Sequence, residues 1–353
     1  MLEPVSTTTH EAIFRRRRDE LGVEFIIALH STCLGPAFGG VRMWRYGSED
    51  EALADVQRLS EGMTYKNAMA ELGVGGGKSV IWIKEPNKAS RRAIFEAFGD
   101  TLEAVGDRYI TAEDVGTSVA DMLVVRERTR NVAGLPPRHG MAGGDPSPWT
   151  ALGVFCAIEA ILRRQGAEVA GSTVAIQGCG AVGAGLAGRL AQAGASLVVS
   201  DLDEARANAL AQRYSARVAS PEAILKEPVE ILAPCALGGV LNAETISHIC
   251  APFVIGAANN QLATPEDAER LAERGIVYAP DYVVNAGGII AVMQEYREEA
   301  SDVVGAKVRA IGPRIETLIA QAEAKRMTPA TVAQARVDEI LAGAARLRAP
   351  VGA

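Results

Sequence analysis

Two lysines and one aspartate are the side chains of this sequence whose types and spacing suit proton chemistry. Lys66 and Lys78 stand twelve residues apart in GMTYKNAMAELGVGGGK, and Asp114 follows in ITAEDVGTS. One ammonium group can bind a substrate carboxylate while a second, beside an acidic partner, transfers protons. Lysines are more often surface groups on long apolar stems, and the spacing alone leaves that alternative open.

The glycines Gly75, Gly76 and Gly77 precede Lys78. They are similar to a phosphate-binding loop, but Ser79 begins an apolar strand and not a helix, which disfavours a nucleoside triphosphatase. Because glycine has no side chain, we expect these three residues to let a small substrate lie against the backbone.

A second glycine motif, GCGAVG, follows the apolar run TVAIQ and precedes a helical pattern. Its glycines permit a tight turn and let backbone N–H groups approach a pyrophosphate. Asp201 ends the next apolar run, where a carboxylate accepts hydrogen bonds from ribose hydroxyls and repels a 2'-phosphate. The motif therefore predicts a site for NAD in preference to NADP, unless Asp201 only begins a turn with Asp203. The predicted cofactor-binding residues here are Gly178, Gly180, Ala181, Val182, Gly183 and Asp201.

Two domains are expected to position these groups, since 353 residues exceed the size at which one core usually keeps growing. Residues 1–135 alternate apolar runs with helical patterns, which predicts an α/β domain. Residues 145–327 repeat short Val/Ile-rich strands between helices, which predicts a Rossmann-type, doubly wound parallel sheet. The Gly/Pro-rich stretch 134–148 is predicted to be a hinge. A last helix, 328–353, is predicted to start at Thr328-Pro329 and to pack back on the first domain.

Composition excludes several functional classes. A formal charge of -7 disfavours binding to a nucleic-acid backbone, and we interpret the basic run Arg15 to Arg18 as a solvated hairpin edge. No apolar run has the length of a membrane span, and the N-terminus lacks the pattern of a signal peptide. Five scattered cysteines predict a reducing, cytoplasmic setting, and the four histidines do not pair with them at metal-binding spacings, so no metal is expected.

Seven segments together closely resemble one enzyme family. They are, in order, GMTYK, GVGGGK, TAEDVGT, PSPWTALGVF, APCALGGVLN, GAANNQL and YAPDYVVNAGG. The sequence from about Phe25 to Ala291 is similar to the amino acid dehydrogenases of the leucine, valine and phenylalanine type, which are relatives of glutamate dehydrogenase. The resemblance implies reversible oxidative deamination of an L-amino acid to its 2-oxo acid and ammonia with NAD. It also implies a homo-oligomer assembled through the first, substrate-binding domain.

The resemblance also implies roles for single residues. Lys66 resembles the lysine that binds the substrate carboxylate, Lys78 the general base, and Asp114 its acidic partner, which shuttles a proton. In the second domain, Thr150 resembles the residue that binds the nicotinamide carboxamide. The remaining implied contacts are Ala236 and Asn259 with the cofactor, and Asn260 and Asn285 with the substrate.

The positions similar to the family's side-chain pocket are Phe38, Gly39, Met63, Ala112 and Val283. None is charged, which disfavours glutamate as the substrate. Ala112 resembles the branched-chain enzymes, but Phe38 stands where we expect leucine in a leucine dehydrogenase. Its bulk either shrinks the pocket toward valine or offers a stacking face to an aromatic substrate.

Three hypotheses follow. The first is a dehydrogenase for an apolar, leucine-like or valine-like amino acid, and the alternative is an enzyme for phenylalanine or tryptophan. The third is a catalytically silent NAD-binding regulator. The presence of Lys66, Lys78 and Asp114 together speaks against the third, because a silent protein needs none of them.

Overall fold

The computed structural model describes residues 2–348, which divide into two compact units. The first contains residues 2–144, 292–301 and 337–348, and the second contains Asp145–Ala291 and Asp302–Arg336. Residue 1 and residues 349–353, which the predicted first domain and last helix include, lie outside the described residues. The division into 1–135 and 145–327 stays a prediction.

A mixed seven-stranded sheet forms the first unit. Its strands are β1 (Glu3–Val5), β2 (Ala12–Arg18), β3 (Val23–Ser31), β4 (Ala37–Phe38), β5 (Val41–Trp44), β6 (Gly75–Ile83) and β7 (Tyr109–Ile110). They run in the order β1-β2-β3-β6-β4-β7, with β5 also paired to β6. The helices are α1 (Glu49–Met69), α2 (Arg91–Val105) and α3 (Val119–Arg126).

Strand β3 is buried on both faces, which explains its continuous apolar sequence. Phe25 and Ile27 face a core that includes residues of α2, whereas Ile26 and Ala28 face a second core that includes Val56 of α1. Successive side chains of a strand point to opposite faces, so α1 and α2 cover opposite sides of this sheet. Ser48 caps α1 by accepting the backbone N–H of Glu51, and the following acidic turn suits the positive end of the helix.

The four consecutive arginines lie on β2, which pairs with β1 on one side and β3 on the other. Strand β1 reaches only as far as Arg15, so Arg16, Arg17 and Arg18 pair with β3 alone and lie on the open edge of the β2–β3 hairpin, as the interpretation has it. Arg15 and Arg17 lie 3.5 Å and 3.6 Å from the carboxylate oxygens of Glu24, which is fully buried. Together with Lys84, which also pairs with Glu24, these arginines neutralise a carboxylate that the two-sided burial of β3 removes from water.

The second unit has a sheet of six parallel strands, which confirms the predicted doubly wound fold. The strands are β8 (Thr173–Gln177), β9 (Ser196–Ser200), β10 (Arg217–Val218), β11 (Ile231–Pro234), β12 (Phe253–Val254) and β13 (Val277–Tyr278). Their order is β10-β9-β8-β11-β12-β13. The chain order reverses at β8, and ligands of such sheets bind outside the carboxyl ends of the strands at that point.

Helices complete the chain after residue 146. They are α4 (Ser147–Arg164), α5 (Ala181–Gln192), α6 (Glu204–Tyr214), α7 (Ala243–Ile246), α8 (Asp267–Glu273), α9 (Asp281–Val284), α10 (Gly287–Tyr296), α11 (Ser301–Arg309), α12 (Ile311–Lys325) and α13 (Pro329–Arg348). Across residues 2–348, no helix combines the length and the apolar character needed to cross a bilayer. The same residues contain no group of three or more His, Cys, Asp or Glu side chains arranged to hold a metal ion.

Candidate functional site

Lys78 and Asp114 form an ion pair in the first unit. The Nζ atom of Lys78 lies 3.0 Å from Oδ2 of Asp114, and the lysine is only 5% exposed. Lys78 pairs with Ala28 across the sheet and therefore points to the α1 side. The sequence-predicted catalytic pair is thus brought together, with the ammonium group largely shielded from water.

The loop after β7 places Asp114. The hydroxyl of Thr117 accepts the backbone N–H of Asp114 at 2.8 Å and donates to the carbonyl of Val41 at 3.0 Å. The loop is thereby fixed to β5, the strand beside Lys78. Sequence analysis missed Thr117, although its threonine type and its place three residues after an aspartate are typical of such turns.

Arg42 is a second cation at Asp114, and sequence analysis also missed it. Its Nε lies 3.1 Å from Asp114 Oδ2, and its Nη1 lies 2.9 Å from Oδ2 of Asp55 on α1. Burial alone would raise the pKa of the Asp114 carboxyl, but the charges of Lys78 and Arg42 and their hydrogen bonds outweigh it and lower that pKa. The available signal was an arginine between the apolar residues Val41 and Met43 of a strand.

Lys66 lies in the last turn of α1 and is half-buried. The same helix packs closely on β6, because a Cβ on Gly76 would overlap the backbone of Thr64. Thr64 stands two residues before Lys66, and Gly76 stands two residues before Lys78 on the same strand face. Lys66 is therefore on the helix and Lys78 on the strand of this contact, but residues two apart on a helix point to different faces, so the contact at Thr64 does not bring the Lys66 side chain to Lys78.

The prediction for the glycine triplet is wrong. A Cβ on Gly75 would overlap the carbonyl of Ser31, and one on Gly77 would come within 2.8 Å of the Tyr109 ring. With Thr64 against Gly76, neighbouring protein fills the space beside all three glycines. Their physical role is to let a helix and two strands approach β6 closely, not to open room for a substrate.

The predicted pocket positions of the first unit are held tightly. Phe38 is fully buried, and the side chain of Asn67 donates to its carbonyl at 3.1 Å. A Cβ on Gly39 would overlap the carbonyl of Gly77 and approach Cγ of Met63 at 3.0 Å. Ala112 is also buried. Phe38 thus has no exposed face in this structure, whereas Met63 is half-buried.

The three glycines of the GCGAVG loop in the second unit have different structural roles. Gly178 has φ +101°, a backbone conformation that other residues rarely adopt, and Ala236 lies 2.9 Å from where its Cβ would be. A Cβ on Gly183 would overlap the carbonyl of Gly178. Gly180 is exposed, with no heavy atom of the described residues within 4 Å of its would-be Cβ.

The open space at Gly180 adjoins the start of α5. Ala181 and Val182 form the first turn of that helix with Gly183, and no described side chain caps it. Such a helix start offers backbone N–H groups to an anion. This glycine-lined space fits the pyrophosphate of a dinucleotide.

Asp201 follows β9 and is tied to two loops. Its Oδ2 accepts the backbone N–H of Cys179 at 2.6 Å, and its Oδ1 accepts that of Asp203 at 2.9 Å. Burial raises the pKa of the Asp201 carboxyl, but these backbone hydrogen bonds outweigh it and lower that pKa. The turn with Asp203 therefore exists, and each oxygen of the ionised carboxylate retains a lone pair for a further donor.

Asn285 and Asn259 of the second unit are hydrogen-bonded to each other. The Nδ2 of Asn285 donates to Oδ1 of Asn259 at 2.8 Å and to the carbonyl of Ala257 at 3.1 Å. Oδ1 of Asn285 is buried and has no hydrogen-bond partner in the described residues, so it is an acceptor that a ligand donor would satisfy. This acceptor therefore adds a polar contact for a ligand to the glycine-lined space of the second unit.

The remaining predicted residues of the second unit have the following positions. Asn260 is exposed and has φ +52°, and its carbonyl accepts the N–H of Gly239 at 2.7 Å. The Thr150 hydroxyl lies in the first turn of α4 and donates to the Pro146 carbonyl at 3.3 Å. Val283 is buried in α9.

Two family models match most of the chain. The model described as Glu/Leu/Phe/Val dehydrogenase, dimerisation domain, matches residues 11–131. The model described as Glutamate/Leucine/Phenylalanine/Valine dehydrogenase matches residues 145–205 and 199–339.

Individual proteins agree with these models. The chain is 40% identical to a leucine dehydrogenase of Geobacillus stearothermophilus, over 98% of this chain and 94% of that protein. It is 42% identical to a valine dehydrogenase of Streptomyces virginiae, over 95% of this chain and 94% of that protein. A crystal structure of L-tryptophan dehydrogenase from Nostoc punctiforme matches with a TM-score of 0.84 at 35% identity, over 96% of this chain and 97% of that one. The resemblance found in the sequence is confirmed, and the chain belongs to the Glu/Leu/Phe/Val dehydrogenase family of amino acid dehydrogenases.

Proposed function

We propose that this protein is an NAD-dependent dehydrogenase that reversibly deaminates an aliphatic L-amino acid, of leucine or valine type, to the 2-oxo acid and ammonia. The observation that carries the proposal is the buried pair of Lys78 and Asp114, 3.0 Å apart. The 40% and 42% identity to a leucine and a valine dehydrogenase supports the aliphatic substrate class.

Lys66 and Lys78 divide the work of the first unit. Lys66 binds the substrate carboxylate, because an ammonium group on a half-buried helix end can meet a small anion without full exposure to water. Lys78, as the neutral amine, takes a proton from the water that adds to the oxidised α-carbon. Asp114 accepts a hydrogen bond from Nζ and so holds the amine in place.

The lowered pKa of Asp114 favours a carboxylate that stays ionised throughout turnover. We therefore assign it the role of a fixed acceptor for Lys78 in preference to the proton shuttle that the resemblance implies.

The second unit supplies the cofactor site. Bound NAD provides the acceptor for the hydride that leaves the α-carbon. Gly178, Gly180 and the start of α5 hold the pyrophosphate, and Asp201 accepts the adenosine ribose hydroxyls. Because the Asp201 carboxyl is ionised, it repels the additional phosphate of NADP. Thr150, Ala236 and Asn259 hold the nicotinamide end, whereas Asn260, Asn285 and Val283 contact the substrate.

Substrate specificity depends on apolar residues without a charged partner for a side-chain carboxylate. Complete burial of Phe38 favours a pocket for a small aliphatic group over a stacking face. The aromatic alternative is supported by the 35% identity to a tryptophan dehydrogenase over 96% of this chain. A missing or additional methylene changes discrimination by only about 1–3 kcal/mol, so both classes are tested together.

The test is NADH formation at alkaline pH with leucine, valine, isoleucine, phenylalanine, tryptophan and glutamate, repeated with NADP. We expect turnover of the aliphatic substrates with NAD. Faster turnover of tryptophan or phenylalanine would establish the alternative instead. Failure with all six, with NAD still bound in a calorimetric titration, would contradict the dehydrogenase and favour a regulator.

We also propose a cytoplasmic homo-oligomer. The family model matched by residues 11–131 is described as a dimerisation domain. The five cysteines of the chain are free thiols, as in a reducing compartment. Light scattering that gives the mass of one chain, 37.1 kDa, would contradict the oligomer.

A further inference from the structure

The proposed mechanism assigns no role to one half-buried cation, Arg42. Arg42 Nε lies 3.1 Å from Oδ2 of Asp114, the same oxygen that Lys78 Nζ meets at 3.0 Å. At its other end, Arg42 Nη1 lies 2.9 Å from Oδ2 of Asp55, which also accepts the Tyr46 hydroxyl at 2.8 Å. Arg42 thus joins the proposed catalytic pair to a second carboxylate.

A general base at Lys78 has to be a neutral amine, yet its partner works against this. A carboxylate 3.0 Å from a buried ammonium group stabilises the charged form, which cannot accept a proton. Arginine remains charged at every relevant pH. Because its guanidinium group shares the Asp114 oxygen, it weakens the attraction between Asp114 and the Lys78 ammonium group. It also repels that ammonium group directly.

We infer that Arg42 is a positioning residue that divides the charge of Asp114 Oδ2 between itself and Lys78, and so weakens the attraction of Asp114 for the Lys78 ammonium group. The inference rests on the proposed function, since it explains how Lys78 becomes a base.

Other charged or titratable groups lie on the elements around Asp114 Oδ2. The charged or titratable groups on the elements that pack against it are Arg42 on β5, Lys78 on β6, Tyr109 on β7, Glu113 beside Asp114, Tyr46 before α1, and Glu49, Asp50, Glu51, Asp55, Arg58, Glu61, Tyr65 and Lys66 on α1. Arg58 pairs with Oδ1 of Asp55 at 2.9 Å. Asp55 therefore keeps Tyr46 and Arg58 as partners when Arg42 is removed, which supports folding of the variant.

The test compares Arg42→Met with Arg58→Gln in the full-length protein. The control removes an arginine from the same cluster but leaves the contact between Arg42 and Asp114. Two readouts are measured against pH. The first is kcat/KM for deamination, and the second is trace acetylation of each lysine by acetic anhydride, followed by peptide mass spectrometry. Acetylation reports the neutral amine without turnover, and a chain with only seven lysines makes each site separable.

In Arg42→Met we expect the midpoint of Lys78 acetylation and the acid limb of kcat/KM to move up by about one pH unit. We expect kcat to fall roughly tenfold while KM for the amino acid changes little. Arg58→Gln is expected to leave both midpoints unchanged. A folded Arg42→Met with unchanged midpoints would overturn the inference, because a purely structural arginine lowers activity without moving them.

A second variant protects the test against misfolding. Arg42→Lys keeps a positive charge beside Asp114, but one ammonium group cannot reach both carboxylates as the guanidinium does. In Arg42→Lys we expect the midpoint of Lys78 acetylation to return close to its wild-type pH, while kcat stays low. A midpoint as high as in Arg42→Met would count against charge sharing. If wild type deaminates no amino acid but the acetylation midpoint still rises in Arg42→Met, the proposed function fails and the charge sharing stands.

Discussion

The candidate sites of the two units, called the two half-sites below, are built from different kinds of groups. In the first unit, charged side chains from β5, β6 and α1 hold one another, as in the contacts of Lys78 and Arg42 with Asp114. In the second unit, the site is mostly backbone and small residues, with open space at Gly180 and one ionised carboxylate at Asp201. Proton transfer needs charged groups at fixed positions, whereas binding a long dinucleotide needs open space and backbone hydrogen-bond donors.

The sharpest way to separate the two half-sites is Lys78→Ala. Because the proposed base is lost, kcat should fall by about 10²–10⁴-fold, while the Kd for NAD stays within a factor of about two. Steady-state kinetics and a fluorescence titration with NADH measure the two effects. The control is Lys88→Ala, which removes a more exposed lysine paired with Glu85. Equal losses of turnover and NAD binding in Lys78→Ala would break the separation.

Two glycine substitutions test the second half-site. Gly183→Ala places a methyl group on the carbonyl of Gly178 and should lower the free energy of unfolding by about 1–3 kcal/mol, together with NAD affinity. Gly180→Ala meets open space, so it should leave stability unchanged and weaken NAD binding by roughly tenfold. Thermal unfolding and calorimetric NAD titration distinguish them. Unchanged NAD affinity in Gly180→Ala would show that the pyrophosphate does not bind there.

Cofactor choice gives a smaller effect. In Asp201→Ser the negative charge that repels a 2'-phosphate is lost, so the ratio of kcat/KM for NAD to that for NADP should fall by roughly tenfold. The matched control is Asp203→Asn, because asparagine can still accept the N–H groups at the start of α6 that Asp203 accepts. A ratio that changes as much in the control would assign the effect to the turn between the two aspartates.

The pH dependence of stability gives the smallest expected effect. The pKa of Asp114 is lower in the folded protein, so its contribution is present above the unfolded pKa, about 3.9, and is lost as pH falls through the folded value. Wild type should therefore exceed Asp114→Asn in unfolding free energy at pH 7, and the difference should shrink toward pH 3. Urea unfolding measures it, and a difference that grows on acidification would contradict the sign of the shift.

The contrast between the half-sites also explains what the sequence could predict. The positions of GCGAVG and Asp201 can be predicted from the sequence, because strand, turn, helix and next strand are consecutive and local patterns determine their geometry. The pairing of Lys78 with Asp114 required the family resemblance. Arg42 and Asp55 could not be placed, since they meet only through the register of β5 beside β6 and the packing of α1. The glycine triplet was misinterpreted because a sequence does not show what lies against a glycine.

That triplet limits how the enzyme can be redesigned. Ser31, Thr64 and Tyr109 already occupy the volume that a side chain at positions 75–77 would need. A mutant library aimed at new substrates would thus yield mostly unfolded proteins if it varied those positions. Met63 on α1, which is half-buried, is the first position to diversify. We therefore expect new substrate specificities to arise from substitutions on helix α1 and not from the glycines of strand β6.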